Sequence, residues 1–259
     1  MRLKYTLPGH GFVYCPYLLD LIQGNHVLIA GTTGAGKSVL ENDIIYSILC
    51  TKYPGQTANG DGARLVLIDP KRVELDIYKT LPHCLMYADN IPAIETALQN
   101  VRQMIENRLA TMKARGQRKS EEAPIYIFID ELVDLVESDR SKSIIRLLSD
   151  SASISRATNI FFIALTQSPS RSIIPAKFKL LFNCRVALRC NNRIESQQII
   201  DDNSALDLPL HGLAVVQNNL DRYLIKIPMY TDKQISDIVQ HWTQQHPIIN
   251  SLFKRSAVI

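Results

Sequence analysis

The chain has 259 residues, of which 46% are hydrophobic and 21% charged, and these ordinary globular fractions exclude disordered, collagen-like and disulfide-scaffold classes. Its 29 lysine and arginine residues exceed its 25 aspartate and glutamate residues, and the net charge of +4 permits an anionic partner without requiring one. The apolar runs are far shorter than the roughly 20 residues of a membrane-spanning helix, and the first eight residues do not lead into a secretion signal. The five scattered cysteines lack the close pairing of zinc ligands, so we expect reduced thiols in a cytoplasmic protein.

Short apolar runs along the chain predict strands, and the spacing of apolar residues between them predicts helices. The predicted strands, continuous in apolar character and therefore buried on both faces, are 26–30, 64–68, 125–129, 159–165 and 185–189. The predicted helices are 38–50, 91–115 and 144–157. Segments 53–62 and 115–124 are predicted to be loops, and they are followed near the end of the chain by strands 213–217 and 222–227 and a helix from 232 to about 246. This alternation predicts an α/β fold with a mostly parallel sheet and helices on both faces.

Residues 31–38 match the phosphate-loop pattern at every specified position, directly after a predicted strand and before a predicted helix. Its glycines allow backbone N–H groups to surround a phosphate at the start of a helix. Lys37 is expected to reach the β- and γ-phosphates of ATP, and Ser38 to bind Mg²⁺. A glycine-rich turn without a ligand is disfavoured by these flanks. The residues predicted to bind the nucleotide are Gly31, Thr32, Thr33, Gly34, Ala35, Gly36, Lys37, Ser38 and Val39.

Two acidic residues follow the predicted strand 125–129. Asp130 is expected to hold Mg²⁺ through water, and Glu131 stands where a motor ATPase carries the carboxylate that polarises the attacking water. A solvated acidic strand end is the alternative, and the phosphate loop makes it the less favoured one.

Polar residues also end two other predicted strands. Gln167 follows strand 159–165 and is predicted to sense the γ-phosphate or position water, because ligands gather at the carboxyl ends of parallel strands. Asp69, Pro70 and Lys71 end strand 64–68 in the same layer. For this group, an ion pair of Asp69 that holds the loop and a direct ligand contact both remain open.

Seven segments together resemble the FtsK/SpoIIIE DNA translocases, in the order found in that family. They are Gly31 to Ser38, Leu67 to Lys71 with Glu74, Leu75 and Tyr78, Leu81 to His83, Ile129 to Leu132 with Asp134 and Leu135, Ser155 to Ala157, Ala164 to Pro169, and Arg193 to Ser196. The resemblance runs from about residue 26 to 246, which suggests a lead-in segment, 1–25, and a motor domain, 26–259. It implies a RecA-like P-loop ATPase that assembles as a hexameric ring and drives double-stranded DNA through its pore.

The resemblance also implies an arginine donated by a neighbouring subunit to the transition state. Arg156 and Arg185 are the candidates, and each has a structural ion pair as its alternative. Arg171, Lys177 and Lys179 form a basic cluster that could contact DNA phosphates, and Arg115, Arg118 and Lys119 form a second one. A solvated surface is the alternative for both clusters.

Other biological settings remain open for such a motor. The membrane segment and the DNA-reading module of the chromosome-segregating members have no counterpart in the sequence. This favours a minimal motor of a mobile element or phage, or an excised motor domain. A membrane-associated partner is compatible with either setting. A protein-secretion ATPase and a scaffold that binds ATP without hydrolysing it are the rival functions.

Overall fold

A computed structural model describes residues 24–55, 62–138, 143–167, 179–219 and 221–245. These residues fold around one mixed β-sheet. The strands are β1 (Val27–Ala30), β2 (Tyr53–Pro54), β3 (Gly62–Ile68), β4 (Cys84–Ala88), β5 (Ile125–Ile129), β6 (Ile160–Thr166), β7 (Cys184–Ala187), β8 (Leu213–Asn218) and β9 (Asp221–Lys226). The helices are α1 (Lys37–Thr51), α2 (Ile91–Ala114), α3 (Leu132–Ser138), α4 (Ser143–Ser155), α5 (Arg193–Ile200) and α6 (Asp232–Gln245). Two 3₁₀ turns, Asp76–Tyr78 and Arg156–Thr158, complete the elements of the described residues.

The strands are arranged in the order β2-β3-β5-β6-β1-β7-β8-β9, and β4 also pairs with β3. All pairs from β2 to β7 are parallel, whereas β8 and β9 add an antiparallel hairpin at one edge. The carboxyl ends of β1, β3, β5 and β6 therefore lie at one edge of the sheet. This α/β architecture with a mostly parallel sheet confirms the predicted fold class.

Both faces of the sheet are buried because successive residues of a strand point to opposite sides. In β3, Leu65 and Leu67 pack in the cluster that contains α1 and α6, while Val66 and Ile68 pack in the cluster that contains α2 and α4. The strands are accordingly continuous apolar runs, as expected of a parallel sheet covered on both sides. None of the helices in the described segments combines the length and apolar character that a membrane crossing requires.

The predicted elements differ from the structure mainly where elements are short. The segment predicted as a loop over 53–62 contains β2 at its start, and its last residue, Gly62, begins β3 and pairs with Tyr53. The helix predicted over 144–157 ends at Ser155 and is followed by a 3₁₀ turn. Strand β4 and helices α3 and α5 were not predicted, because β4 contains no β-branched residue and each of the two helices spans only about two turns. The segment 1–23, most of the predicted lead-in, lies outside the described residues.

Candidate functional site

The phosphate loop joins β1 to α1 and is packed tightly against the end of β7. A Cβ atom added at Gly31 would lie 2.7 Å from the Cβ atom of Leu188, so no other residue fits there without a shift. The N–H of Thr32 donates to the carbonyl of Arg189 at 2.8 Å. Gly36, with φ +104°, occupies a backbone conformation that favours glycine and directly precedes α1. Steric and conformational constraints therefore explain glycine at positions 31 and 36, and the loop is fixed to the end of β7.

A cavity of about 490 Å³ opens over this loop at the carboxyl ends of the strands. Its volume is in the range of small-molecule sites, roughly 300–1,000 Å³. The lining residues come from the phosphate loop, the segment after β3, the end of β5, the end of β6 and the segment before β8. They are Thr33, Gly34, Gly36, Lys37, Ser38, Val39, Lys71, Val73, Glu74, Asp130, Glu131, Gln167 and His211. The structure thus brings the predicted residues Lys37, Ser38, Asp130, Glu131 and Gln167 to one cavity.

Lys37 and Ser38, the first two residues of α1, both have hydrogen-bond partners within the site. The Lys37 ammonium donates to the carbonyl oxygens of Gly31 at 2.8 Å and Thr32 at 3.1 Å. Burial lowers the pKa of Lys37, while the charges of Glu131 and Asp130 oppose that shift. The Ser38 hydroxyl donates to Glu74 Oε1 at 2.8 Å.

The carboxylates around Ser38 form an environment that suits a divalent cation. Burial, followed by the charges of Asp69, Glu74 and Glu131, raises the pKa of Asp130 to about 7. The two carboxylate oxygens of Glu41, one turn after Ser38 in α1, are buried and have no hydrogen-bond partner among the described residues. Crowded carboxylates of this kind are relieved by a hard cation such as Mg²⁺, which prefers oxygen ligands.

The donor set also fits the way in which Mg²⁺ accompanies a nucleotide. Within the described residues, no group of three or more histidine, cysteine, aspartate or glutamate side chains forms a complete metal cage. Mg²⁺ typically takes one or two protein ligands together with phosphate oxygens and water. Ser38 and Asp130 are the residues that would hold it here.

Glu131 is held in the cavity by contacts on both carboxylate oxygens. Its side chain is 4% exposed, Oε1 accepts from the backbone N–H of Gln167 at 3.1 Å, and Oε2 lies 3.5 Å from the Lys71 ammonium. The Gln167 side chain in turn accepts from the Thr33 hydroxyl at 2.9 Å. Glu131 has φ +57°, an uncommon left-handed conformation for a side-chain-bearing residue and one that is found preferentially at functional sites.

Asp69 organises the segment after β3 through backbone hydrogen bonds. Its fully buried carboxylate accepts from the N–H of Arg72 at 2.8 Å and from the N–H of Leu75 at 3.0 Å. The Arg72 side chain instead pairs with Asp89 at 3.2 Å. The loop-holding interpretation of Asp69 is therefore favoured, although within the described residues the carboxylate holds the loop by accepting from N–H groups and not by an ion pair.

Among the described residues, none of the arginines and lysines predicted at interfaces lines this cavity. Arg185 is 16% exposed and donates to Asp201 at 2.8 Å and to the carbonyl of Ile199 at 3.0 Å, which favours its structural alternative. Lys179 pairs with the same Asp201 at 2.8 Å. Arg156 is exposed, in the turn that precedes β6, at the edge of the sheet opposite the phosphate loop.

The structure describes the second basic cluster completely and the first only in part. Arg171 and Lys177 lie outside the described residues. Arg115, Arg118 and Lys119, which follow α2, are exposed.

Several residues that line the cavity were not predicted from the sequence as site residues, notably Val73, Glu74 and His211. Glu74 belongs to a segment that resembles the translocases, yet its contact with Ser38 joins residues 36 positions apart. The sequence around either residue therefore does not predict this contact. Lys71 was singled out without a definite role.

Several known proteins are similar to this chain in sequence. The family model described as the FtsK/SpoIIIE family matches residues 1–126. The "DNA translocase FtsK" of Chlamydia pneumoniae is 31% identical over 88% of this chain and 30% of its own length. The chain therefore spans about 30% of the length of the curated relatives that it matches.

Solved structures show the same fold at lower identity. The pCW3 conjugation coupling protein TcpA, in its monomer form with ATPγS, has a TM-score of 0.73 at 23% identity and covers 86% of this chain and 66% of its own. EssC (ATPases 2 and 3) from Geobacillus thermodenitrificans has a TM-score of 0.71 at 16% identity, over 90% and 45% of the two chains. The family model and the relatives show that this chain belongs to the FtsK/SpoIIIE family, and its fold is that of P-loop ATPases.

Proposed function

We propose that the chain is the ATP-hydrolysing motor domain of a double-stranded DNA translocase. The observation that carries the proposal is the buried Glu131, which follows Asp130 and lines the same cavity as the phosphate loop. A protein that only binds ATP has no need of a carboxylate held there at the cost of left-handed backbone. The DNA substrate is inferred from the relatives, which are named as DNA translocases.

Different residues of the cavity have different roles in phosphoryl transfer. Backbone N–H groups of the phosphate loop and Lys37 bind the β- and γ-phosphates. When bound by Ser38 and Asp130, Mg²⁺ neutralises charge on those phosphates. Glu131 accepts a proton from the attacking water, and Gln167, fixed between Thr33 and Glu131, holds the position next to the γ-phosphate.

We further propose a hexameric ring in the cytoplasm, in which residues 26–259 form the motor and residues 1–25 a lead-in. Arg156 is the favoured donated arginine, because it is exposed and lies at the opposite edge of the sheet from its own phosphate loop, whereas Arg185 is engaged with Asp201. Arg171, Lys177 and Lys179 remain the first candidates for DNA phosphate contacts, although Lys179 has an intramolecular partner. Arg115, Arg118 and Lys119, which are exposed, are the second candidates.

The test is ATP hydrolysis measured with and without random-sequence duplex DNA. We expect duplex to raise the rate, Lys37→Ala to abolish nucleotide binding, and Glu131→Gln to bind ATP normally while turnover falls about 10²- to 10⁴-fold, the usual contribution of a positioned general base. Glu106→Gln, an exposed glutamate of α2 paired with Arg102, is the matched control and should keep wild-type turnover.

Three results would contradict the proposal in different ways. Unchanged hydrolysis in Glu131→Gln would remove that residue from the mechanism. Absence of hydrolysis in the wild type with duplex present would favour a nucleotide-gated scaffold. Hydrolysis that responds to an unfolded polypeptide and not to duplex would favour the secretion ATPase.

A further inference from the structure

We propose that Lys71 is a positioning residue for ATP hydrolysis, which holds the Glu131 carboxylate against the backbone N–H of Gln167. This inference rests on the proposed ATPase function and assigns a role to the lysine of the Asp69-Pro70-Lys71 segment. Lys71 lies on the loop after β3, and Glu131 follows β5. Because β3 and β5 are parallel neighbours, with Ile68 opposite Ile129, the two segments emerge side by side at the same edge of the sheet.

The two contacts on Glu131 come from opposite sides of the site. Gln167, after β6, binds Oε1, and Lys71, after β3, lies against Oε2. Strand β5 runs between β3 and β6 in the sheet, so the carboxylate is bridged from both neighbouring strands. A carboxylate restrained at both oxygens keeps one orientation, which is what a group that activates water requires.

The lysine itself is restrained at both ends. Its ammonium also lies 3.2 Å from Asp134 Oδ2, in the first turn of α3. Its backbone belongs to the loop that Asp69 holds by accepting from the N–H groups of Arg72 and Leu75. Partial burial opposes the charged form of Lys71, but the hydrogen bond to Asp134 and the charges of Glu131 and Asp130 raise its pKa overall. Lys71 is therefore a fixed cation beside Glu131.

The burial of Glu131 makes this contact more consequential than a surface ion pair. Exposed ion pairs contribute little to stability, because water screens the charges and long side chains lose conformational entropy when they pair. Here Glu131 is 4% exposed and Lys71 38%, so removal of the ammonium would leave a buried carboxylate without that cation. The carboxylate would then be free to turn away from the position fixed by Gln167.

The experiment compares Lys71→Met with Lys71→Arg, and measures kcat together with the Kd values of ADP and ATPγS. We expect Lys71→Met to lower kcat about 10- to 100-fold, the effect of misplacing a reacting group by about 1 Å, while both Kd values stay within about 2-fold of wild type. Lys71→Arg keeps the charge and should recover most of kcat. Lys79→Met, which removes an exposed lysine paired with Asp76 near the end of the same segment, is the matched control and should leave kcat unchanged.

A double-mutant cycle separates action through Glu131 from direct contact with ATP. In the Glu131→Gln background, Lys71→Met should cause no further loss of kcat, because residues that act as a unit are non-additive. A further loss of 10-fold or more, or a selective loss of ATPγS affinity over ADP affinity, would show that Lys71 binds the γ-phosphate and would overturn the proposal.

If Lys71→Met unfolds, Lys71→Gln takes its place, and unchanged ADP binding shows that the variant is folded. Equal kcat for the wild type and both neutral variants would also overturn the role of Lys71, whereas an inactive wild type would instead refute the ATPase function on which it rests.

Discussion

His26 is a fully buried histidine just before β1 whose ring is satisfied only when neutral. Nδ1 accepts from the backbone N–H of Phe162 at 3.0 Å, so the proton lies on Nε2, which donates to the carbonyl of Ala152 at 2.9 Å. Burial lowers the pKa of His26 to about 4; the bond to Ala152 opposes this shift, and the charge of Arg156 adds to it. The residue therefore ties β1 to β6 and α4 as an uncharged group.

This pKa gives the folded state a defined pH dependence. Because the folded pKa is depressed, the contribution of His26 to stability is present above pH 6.5 and is lost as the pH falls toward 4, by up to about 3 kcal/mol in the free energy of unfolding. Denaturant unfolding between pH 7 and 4.5 should show a shallower loss in His26→Gln than in the wild type. His241→Gln, at an exposed position of α6, should retain the wild-type slope, and a wild-type slope in His26→Gln would contradict this assignment.

Single residues of the site could be predicted from the sequence when they directly end a strand. Asp130, Glu131 and Gln167 follow β5 and β6, and the carboxyl ends of parallel strands meet at one edge, so their proximity to Lys37 follows from the strands alone. The contacts that Lys71 and Glu74 make could not be predicted, since they depend on how the hydrogen bonds of Asp69 shape the loop after β3. The contact of Lys71 with Glu131 and that of Glu74 with Ser38 therefore become known only from the structure.

At the scale of elements, α1 combines a phosphate-binding first turn with a buried carboxyl group one turn later. Glu41 is fully buried, and burial, followed by the charges of Asp130, Glu74 and Asp69, raises its pKa well above 4.5. A group with a raised folded pKa contributes its full stability below about pH 4.5, and that contribution is lost as the pH rises toward the folded pKa. The middle of this helix therefore favours a neutral group.

Glu41→Gln should accordingly stabilise the protein, and its advantage over the wild type should grow as the pH rises above about 4.5. Thermal or denaturant unfolding of both proteins at pH 5, 6.5 and 8, without nucleotide or Mg²⁺, measures the difference. Glu106→Gln, on the exposed face of α2, should show no such trend. A variant that is less stable than the wild type at pH 8 would mean that the Glu41 carboxyl has a stabilising role.

Elements were predictable where their apolar pattern is long and continuous. The strand predicted over 125–129 has the bounds of β5, and the helix predicted over 91–115 differs from α2 by one residue at its end. Asn90 caps that helix by accepting from the N–H of Ala93, and Pro92 suits its first turn, so sequence and structure agree at its start. β4 was missed because it contains no β-branched residue, and its pairing with β3 and its contacts with α2 are tertiary.

At the scale of the whole molecule, the proposed donated arginine predicts that copies complement one another. Arg156→Ala and Glu131→Gln should each have low turnover alone, and a mixture of the two should recover activity at hybrid interfaces that pair an intact Glu131 with an intact Arg156. Arg146→Ala, at an exposed position of α4, should behave as the wild type. Turnover per subunit that does not change on dilution, or full activity of Arg156→Ala alone, would refute a shared site built on this arginine.

The position of β1 in the sheet has a consequence for how the protein is made. β1 is the first strand of the described chain, yet it pairs with β6 and β7, so that Val27 lies opposite Ile163 and Cys184. A ribosome that adds roughly 5–20 residues per second needs on the order of 10–30 s to synthesise the chain between these partners. During that interval the phosphate loop has neither of the strands that flank β1, including the end of β7 against which Gly31 packs. Nucleotide binding during synthesis should therefore begin only after β7 has emerged, and ATP can act as a ligand that selects chains whose sheet is closed around β1.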